Sequence, residues 1–309
     1  MPRKKRLFEP RRIIVPHCHG SRFKLGRQAA QQMLERLITP DGVAVDPPRV
    51  LVVVAHPDDE AIGAGALLAE LPDAVVAHVT DGAPRDNAVA ELRGFSSRDA
   101  YAEARRAEVL AALSIAGIQA SRVRCLGYVD GEATLSLVQL CHDVIDLMLE
   151  VAPEIVLTHP YEGGHTDHDA TAFAVHLACG ILRREGLPAP VVLEMTSYHS
   201  RNGRRVRNQF LPRRNVPERS LELPPEAQLL KLRMFEQFLS QRVCLRDFPV
   251  QVERFRIAPR YTFTTPPHEG QLDYERYCAT ICGDEWRARA EKALDILRAK
   301  HRTEPATAP

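Results

Sequence analysis

The chain has 309 residues, 45% of them hydrophobic, which is enough to bury the core of one large α/β domain or of a domain with an added lobe. Its 41 basic and 40 acidic residues leave a formal net charge of +1, which argues against nucleic-acid binding as the main function. No apolar run approaches the roughly 18 residues of a membrane-spanning helix, and no signal-like apolar segment lies near the N-terminus, so we expect a cytoplasmic protein.

The cysteines and the clustered basic residues are both interpreted first as structural or surface features. The seven cysteines are scattered without CxxC spacing, which favours reduced thiols packed as small apolar side chains. Basic residues cluster at 3–12 and again at 201–214. We interpret the first cluster as a solvated N-terminal arm and the second as a surface loop, although either is also suited to an anionic ligand.

Between Arg49 and Thr196, short β-branched runs alternate with helical patterns, which is typical of βαβ units around a parallel sheet. The predicted strands are Val50–Ala55, Ala74–Thr80, Arg122–Leu126, Ile155–Thr158 and Val191–Met195. The predicted helices between them are Ala61–Glu70, Asp99–Ala116, Leu135–Glu150 and Asp169–Arg184. Each connection has the length of a right-handed crossover, so we predict an open, doubly wound, Rossmann-like, mostly parallel sheet with helices on both faces.

Further helices are predicted on either side of this core, at Gly26–Ile38, Glu226–Leu239 and Gly283–His301. The chain then divides into four parts. These are a basic N-terminal arm with its helix (1–48), the α/β core (49–200), a C-terminal extension that packs on the core (201–301), and a tail (302–309). We expect the tail to be disordered because it has too little apolar content to pack.

The first predicted strand leads into His56-Pro57-Asp58-Asp59-Glu60, at the sheet edge where open α/β folds bind ligands. An imidazole beside three carboxylates is costly where solvent is scarce unless a cation neutralises the charge, which favours a divalent metal. Pro57 fixes the turn, so His56 and Asp59 are able to face one centre while Asp58 takes another direction. The alternative is that Asp58 or Asp59 caps the following helix.

A second cluster follows the fourth predicted strand, where residues 159–169 read HPYEGGHTDHD. Three histidines in so short a loop, with the Gly163-Gly164 pair that permits tight turns, are hard to explain by packing. Because both clusters leave the carboxyl edge of the same sheet, they are able to face one crevice. Imidazole and carboxylate ligands together favour zinc, with ferrous iron or another divalent first-row metal as the alternative.

HPDDE (56–60), joined to an HxDH element (165–168), resembles the motifs of the LmbE-like (PIG-L) N-acetylglucosaminyl deacetylases. The resemblance spans about Val50–Phe173, with weaker agreement through Ser240-Gln241. It implies a metal-dependent amide hydrolase that removes a short N-acyl group from a glucosamine-containing small-molecule conjugate. The alternatives are an amidase for a larger thiol-conjugate or antibiotic-type amide, and a non-catalytic glycan-binding module on the same fold.

Carried over by position, the resemblance implies metal ligands at His56, Asp59 and His168 and a general base at Asp58. It implies that His165 stabilises the oxyanion and protonates the leaving amine. Three protein ligands leave a position on zinc for water, whose pKa the metal lowers towards ~7. Retention of both a base and an acid weighs against a module that only binds glycans.

Residues close to these motifs carry supporting predictions. Asp167 is expected to orient a neighbouring histidine by a hydrogen bond, and Glu60 either to act similarly or to cap the helix. The proline that is usual inside HxDH is Thr166 here, which loosens a backbone restraint without removing a ligand. Some relatives use a tyrosine near this element, so Tyr161 is a further candidate. His78, isolated in a predicted strand, is interpreted as a structural histidine.

Substrate contacts are predicted at four further positions. The resemblance implies that Arg105, in an RxxE element with Glu108, contacts the substrate, although a helix-surface ion pair is the alternative. It implies that Asp130 binds sugar hydroxyls, although Asp-Gly is also a simple turn. Asp81 and Arg85 follow the second predicted strand, and we expect them to line the pocket, where Arg85 would meet an anionic group.

Overall fold

A computed structural model describes residues 27–38, 48–276 and 281–300, so the predictions for the basic cluster at 3–12 and the tail at 302–309 lie outside the described residues. The strands are β1 Val50–Val54, β2 Val75–Pro84, β3 Val123–Asp130, β4 Ile155–Thr158, β5 Val191–Met195, β6 Tyr198–Arg201, β7 Arg204–Arg207, β8 Glu218–Glu222 and β9 Val252–Ile257. The α-helices are α1 Arg27–Ile38, α2 Asp59–Ala69, α3 Asn87–Leu92, α4 Arg98–Ile115, α5 Leu137–Val151, α6 Thr166–Arg184, α7 Pro225–Phe235, α8 Arg242–Leu245 and α9 Gly283–Lys300. Short 3-10 helices lie at Ala120–Arg122, Ala133–Ser136, Leu239–Gln241 and Tyr274–Arg276.

Seven strands form one sheet in the order β3-β2-β1-β4-β5-β9-β8. The first five are parallel, β9 pairs with β5 antiparallel, and β8 pairs with β9 antiparallel. The predicted mostly parallel sheet is confirmed. Strands β8 and β9 were not predicted because they lack an apolar run, and in β9 the buried side chains include Glu253 and Arg256, which are held in ion pairs.

Alternate residues of β1 point to opposite faces of the sheet. Val50, Val52 and Val54 pack in a core with α1, α2, α4 and α7, whereas Leu51 and Val53 pack in a second core with α5, α6 and α9. Burial on both faces explains why the parallel strands are continuous apolar runs.

The five cysteines that the structure describes are free thiols. No described helix is both long and apolar enough to cross a membrane.

Helix α2 is interrupted at Ala64, whose φ of −148° and ψ of 23° are not helical. Two backbone N–H groups, at residues 66–67, donate to the Glu253 carboxylate at 2.8 and 3.1 Å. The carbonyl of Ile62 accepts from Nζ of Lys231 at 2.8 Å. Lys231 and Glu253 also pair with each other at 2.8 Å and are completely buried. Residues of α7 and β9 therefore satisfy backbone groups that the break in α2 leaves without helical partners.

Candidate active site

The two predicted clusters meet at the carboxyl edge of the sheet, where α2 follows β1 and α6 follows the loop after β4. Candidate ligand atoms of His56, Asp59 and His168 all lie within 4.8 Å of one another. Nδ1 of His56 lies 3.2 Å from one Asp59 oxygen, and Nε2 of His168 lies 3.2 Å from the other. The three residues are at most 9% exposed. Two imidazole nitrogens converging on one carboxylate fit the donor set that zinc and ferrous iron accept.

His56 also faces a second group of polar side chains through Nε2. This atom lies 3.1 Å from Asp130 and 3.3 Å from Asp167, and His165 completes a second cluster of close ligand atoms. The two oxygens of Asp167 already accept from backbone N–H groups of the β3–α5 connection, at 2.6 and 3.1 Å. Asp167 is therefore better placed to orient His56 than to bind a metal, because a metal would compete with two backbone donors.

Charges at the ligand cluster shift the pKa values of its members. Burial favours the neutral form of Asp59, yet His168 and His159 outweigh burial and hold the pKa of Asp59 well below its ordinary value. Burial likewise disfavours a charged His56, but Asp130 and its neighbouring carboxylates raise the pKa of His56 well above its ordinary value. Burial holds the pKa of His168 well below its ordinary value, so Asp59 is an anion beside a neutral imidazole. These are the protonation states in which both side chains bind a divalent cation.

Asp58 differs from Asp59 in both backbone and surroundings. Its φ of 152° and ψ of −24° lie in a region that residues with a side chain rarely adopt, a sign of local backbone strain at functional sites. Its carboxylate lines the cavity, 3.4 Å from the guanidinium of Arg105. Burial raises the pKa of Asp58 to about 7, against the attraction of Arg105. The Asp58 side chain makes no capping hydrogen bond to α2, and Asp59 accepts from the N–H of His56, so neither acts as the alternative helix cap.

Glu60 and His78 lie beneath Asp58. Oε2 of Glu60 accepts a hydrogen bond from the backbone N–H of Asp58 at 3.2 Å and lies 2.9 Å from Nε2 of His78. Glu60 is completely buried and His78 is 2% exposed. Glu60 thus reaches back to the N–H of Asp58 at the start of α2, and His78 has the structural partner expected of a buried histidine.

His165 is the residue that precedes α6. Its Nδ1 accepts a hydrogen bond from the N–H of Asp167 at 3.2 Å, so the proton of the neutral ring lies on Nε2. The ring stands edge-on to that of His56, with centroids 4.5 Å apart, and lines the same cavity as Asp58. Burial and the neighbouring His56 lower the pKa of His165. Thr166 begins α6 without displacing either histidine of the HxDH element.

Two residues for which the sequence suggested no role lie against the cluster. His159 places Nε2 3.3 Å from Asp59, and its ring stacks on that of His168 at 4.0 Å. Tyr198, at the start of β6, has its ring 5.3 Å from that of His168. His159 was visible as the third histidine of its loop, whereas a lone tyrosine after β5 gives no signal. The candidate Tyr161 lies elsewhere, with its hydroxyl donating to the carbonyl of Thr265 at 3.0 Å.

Of the four predicted substrate contacts, Arg105 and Asp130 line the cavity. Arg105 is 2% exposed and turned towards Asp58, so it is not on the helix surface. Glu108 instead accepts from the backbone and the hydroxyl of Ser240, at 2.8 and 2.7 Å. Asp130 lies beside His56, as described above.

The other two predicted contacts, Asp81 and Arg85, do not line this cavity. Asp81 forms an ion pair with Arg98. Arg85 is mostly exposed and donates to both oxygens of Glu132, at 2.5 and 2.6 Å. β2 continues through Pro84, so Asp81 lies within the strand and Arg85 directly follows it.

The cavity over the cluster has a volume of about 420 Å³. Its inner end is formed by the motif residues, and its outer wall comes largely from the hairpin β6–β7 and from residues 241–248. The basic segment 201–214, interpreted from the sequence as a surface loop, therefore contributes to the site: Arg205 and Arg207 of β7 line the cavity.

Residues 51–179 match the model of the PIG-L family, GlcNAc-PI de-N-acetylase. The matched segment makes up 129 of the 309 residues of the chain. It contains both the HPDDE and the HxDH motifs, and the resemblance seen in the sequence is confirmed.

Curated relatives of the chain are also deacetylases by name. The chain is 33% identical over 144 residues to a probable N-acetyl-alpha-D-glucosaminyl L-malate deacetylase 2 of Bacillus cereus. It is 30% identical over 168 residues to a 1D-myo-inositol 2-acetamido-2-deoxy-alpha-D-glucopyranoside deacetylase of Kineococcus radiotolerans. The matches cover 45% and 43% of this chain, and the chain spans 64% and 46% of the length of those relatives.

Solved structures share the fold of about two thirds of the chain. The A40926 pseudoaglycone deacetylase Dbv21 superposes with a TM-score of 0.54 at 22% identity, over 70% of this chain and 99% of that one. The zinc-inhibited form of the teicoplanin deacetylase Orf2 gives a TM-score of 0.51 at 17% identity, over 67% of this chain and 97% of that one. At such identities the likeness shows a common α/β fold.

Proposed function

We propose that the protein hydrolyses the N-acyl amide of a glucosamine-containing conjugate, with a divalent metal bound by His56, Asp59 and His168. The observation that carries this proposal is the arrangement of Asp58 and His165 in one cavity with those three candidate ligands. A site that only bound a glycan would need neither group beside a metal. The names of the curated relatives support an N-acetylglucosamine conjugate as the substrate class.

The metal would be zinc or another divalent first-row ion such as ferrous iron, since two imidazoles and one carboxylate suit both. When bound, it supplies Lewis acidity towards water and towards the amide carbonyl. Asp167 and Asp130 lie on the other side of His56 and hold its ring by their contacts with Nε2. This support fixes the direction in which Nδ1 points towards the centre.

Asp58 acts as the general base in this proposal. Its carboxylate faces the cavity beside Arg105 and accepts a proton from the attacking water. The water oxygen bonds to the acyl carbon, the carbon–nitrogen bond breaks, and the proton held by Asp58 passes to the leaving nitrogen. The products are a free amine and the carboxylate of the acyl group, acetate for an N-acetyl substrate.

His165 stabilises the developing negative charge on the carbonyl oxygen. Because Nδ1 accepts from the Asp167 N–H, the one proton of the neutral ring lies on Nε2 and is available as a hydrogen-bond donor. A neutral imidazole with a single proton donates a hydrogen bond more readily than it gives that proton away. We therefore assign the oxyanion role to His165 and the return of the proton to Asp58, which separates two roles that the resemblance had combined.

Release of amine from N-acetylglucosamine conjugates by the metal-loaded protein tests the reaction. Asp58→Asn keeps the volume of the side chain but removes the base, and we expect kcat to fall by at least about 100-fold, as for loss of a general base. Asp99→Asn is the matched control, since the Asp99 side chain is 93% exposed and outside the cavity. Equal activity of the Asp58 variant and the wild type would exclude this mechanism.

Metal stoichiometry tests the ligand set independently of turnover. We expect His168→Ala to lower the bound metal per chain after dialysis, while His268→Ala, which lies outside the cluster, retains it. The same samples distinguish the alternative functions. A glycan-binding module would bind N-acetylglucosamine without amine release, whereas an amidase for larger amides would release amine only from the larger compounds of the panel.

A further inference from the structure

The outer part of the cavity is rich in arginine. Arg93, Arg207 and Arg246 line it, from the end of α3, from β7 and from the segment after α8. Two of these arginines come from the chain beyond residue 179, outside the PIG-L match. The basic wall is therefore a feature of this chain in addition to the family motifs at the inner end.

Among the described residues, one carboxylate forms ion pairs with two of these three guanidinium groups. Asp247 lies 3.2 Å from Arg207 and 3.5 Å from Arg246. Arg93 has no ion-pair partner in the described part of the chain and donates to the carbonyl of Ser240 at 3.3 Å. The three guanidinium groups and the one carboxylate together give the outer wall a net charge of +2. Arginines that were each paired with a carboxylate would leave no such excess.

Two of the arginines on this side are held by aromatic rings. The guanidinium of Arg207 lies 5.7 Å from the ring centroid of Phe248. Its neighbour Arg205 lies 4.6 Å from the ring centroid of Tyr198 and pairs with the buried Asp273 at 2.6 Å. The ring contacts restrain the guanidinium groups, so these side chains lose less conformational entropy when an anion binds.

The cavity is thus polarised along its length. Its inner end carries the carboxylates Asp58, Asp59 and Asp130 with the guanidinium of Arg105, and its outer end carries Arg93, Arg207 and Arg246 with the carboxylate of Asp247. A volume of about 420 Å³ falls within the roughly 300–1,000 Å³ of ligand pockets and provides room for a conjugate beyond the amide. A ligand that matches this polarity has its amide at the inner end and a negative charge at the outer end.

We infer that Arg93, Arg207 and Arg246 form an anion subsite, and that the glucosamine conjugate carries a carboxylate or a phosphate on its aglycone. This inference rests on the proposed function for the orientation of the substrate. Guanidinium groups bind both anions through paired hydrogen bonds, so the chemistry of the wall is shared by the two. A neutral aglycone would leave the excess positive charge without a partner.

Binding of amine products to the metal-loaded protein tests the subsite without requiring turnover. The probes are methyl α-glucosaminide, carboxymethyl α-glucosaminide and glucosamine 1-phosphate, compared by calorimetry at low and high salt. We expect the two anionic compounds to bind about tenfold more tightly than the methyl glycoside at low salt, with the preference shrinking as salt is added. Preference for one anionic probe over the other identifies the carboxylate or the phosphate as the natural group.

Arg207→Ala and Arg246→Ala should each reduce this preference by about threefold to tenfold, because each removes one charge-assisted contact. Arg204→Ala, an exposed arginine on the same strand outside the cavity, is the matched control and should keep the full preference. Arg246 is 69% exposed, so its replacement tests the subsite even if Arg207→Ala fails to fold. Equal binding of all three probes, or a preference that both cavity variants retain, would overturn the inference. Loss of amine release with an intact anion preference would instead refute the proposed function alone.

Discussion

Nε2 of His78 lies 2.9 Å from Oε2 of Glu60, and the pair sits under the backbone of Asp58. Glu60 is a completely buried acid that contacts this imidazole and accepts a hydrogen bond from the N–H of Asp58, whose backbone conformation is strained. The pair therefore holds the proposed general base in a backbone conformation that is unfavourable by itself. His78 contributes to the site through Glu60, without lining the cavity that holds Asp58.

We expect His78→Leu to lower both stability and kcat, because it leaves the Glu60 carboxylate buried without its imidazole partner. The loss of stability should be about 3–5 kcal/mol, as for removal of one partner from a buried pair. His78→Gln, whose amide is able to donate to Glu60, should recover most of kcat at an unchanged KM. Denaturant unfolding and initial rates of amine release measure the two effects. Equal kcat in the leucine and glutamine variants would show that His78 only fills space.

The break in α2 leads to a second prediction. Lys231→Met should destabilise the protein by about 3–5 kcal/mol, since it leaves Glu253 charged and buried and removes the donor to the carbonyl of Ile62. Lys292→Met, on an exposed position of α9, is the control and should change the free energy of unfolding by less than about 0.5 kcal/mol. If the two variants had the same free energy of unfolding, the buried Lys231–Glu253 pair would not stabilise the interrupted helix α2.

Glu162 provides a prediction about pH. Burial raises the pKa of Glu162 to about 7, and the attraction of Arg256 only partly offsets it. A raised pKa means that the folded state favours the protonated acid. The contribution of Glu162 to stability is therefore complete below its ordinary pKa of 4.5 and is lost as the pH rises through about 7.

We expect Glu162→Gln to remove this loss, because the glutamine oxygen is still able to accept from Leu211 and Arg256. Relative to wild type, the variant should gain up to about 3 kcal/mol in the free energy of unfolding between pH 4 and pH 8. Urea unfolding of both proteins at several pH values measures the difference. Parallel stability curves for variant and wild type would contradict the assignment of this titration to Glu162.

The sequence predicted the parallel half of the fold because its strands are buried on both faces and are apolar throughout. β4 and β5 begin and end at the predicted residues, and every predicted helix forms, although α7 ends four residues earlier than expected. β2 and β3 extend four residues beyond their predicted ends, through segments that contain Gly82 and Gly127 and lack a continuous apolar run. The hairpin β6–β7 contains few apolar residues and was not predicted, and α3 was not predicted because its six residues are too few to show a helical period.

The inner end of the site could be predicted because its ligands lie in two compact motifs at the ends of neighbouring strands. The outer end could not, since Tyr198 and Arg207 are single residues whose position depends on a hairpin without an apolar pattern. Asp81 and Arg85 do not line the cavity, because β2 extends four residues beyond its predicted end. Their side chains form ion pairs with Arg98 and Glu132 instead.

The interrupted helix α2 also bears on how this molecule could be divided. It begins with the candidate ligand Asp59, yet the charged groups that complete it come from positions 231 and 253, far beyond residue 179. A fragment cut at the limits of the family match would keep both motifs and lose the groups that satisfy their supporting helix. The segment that matches the family is therefore shorter than the set of residues that holds α2 in place.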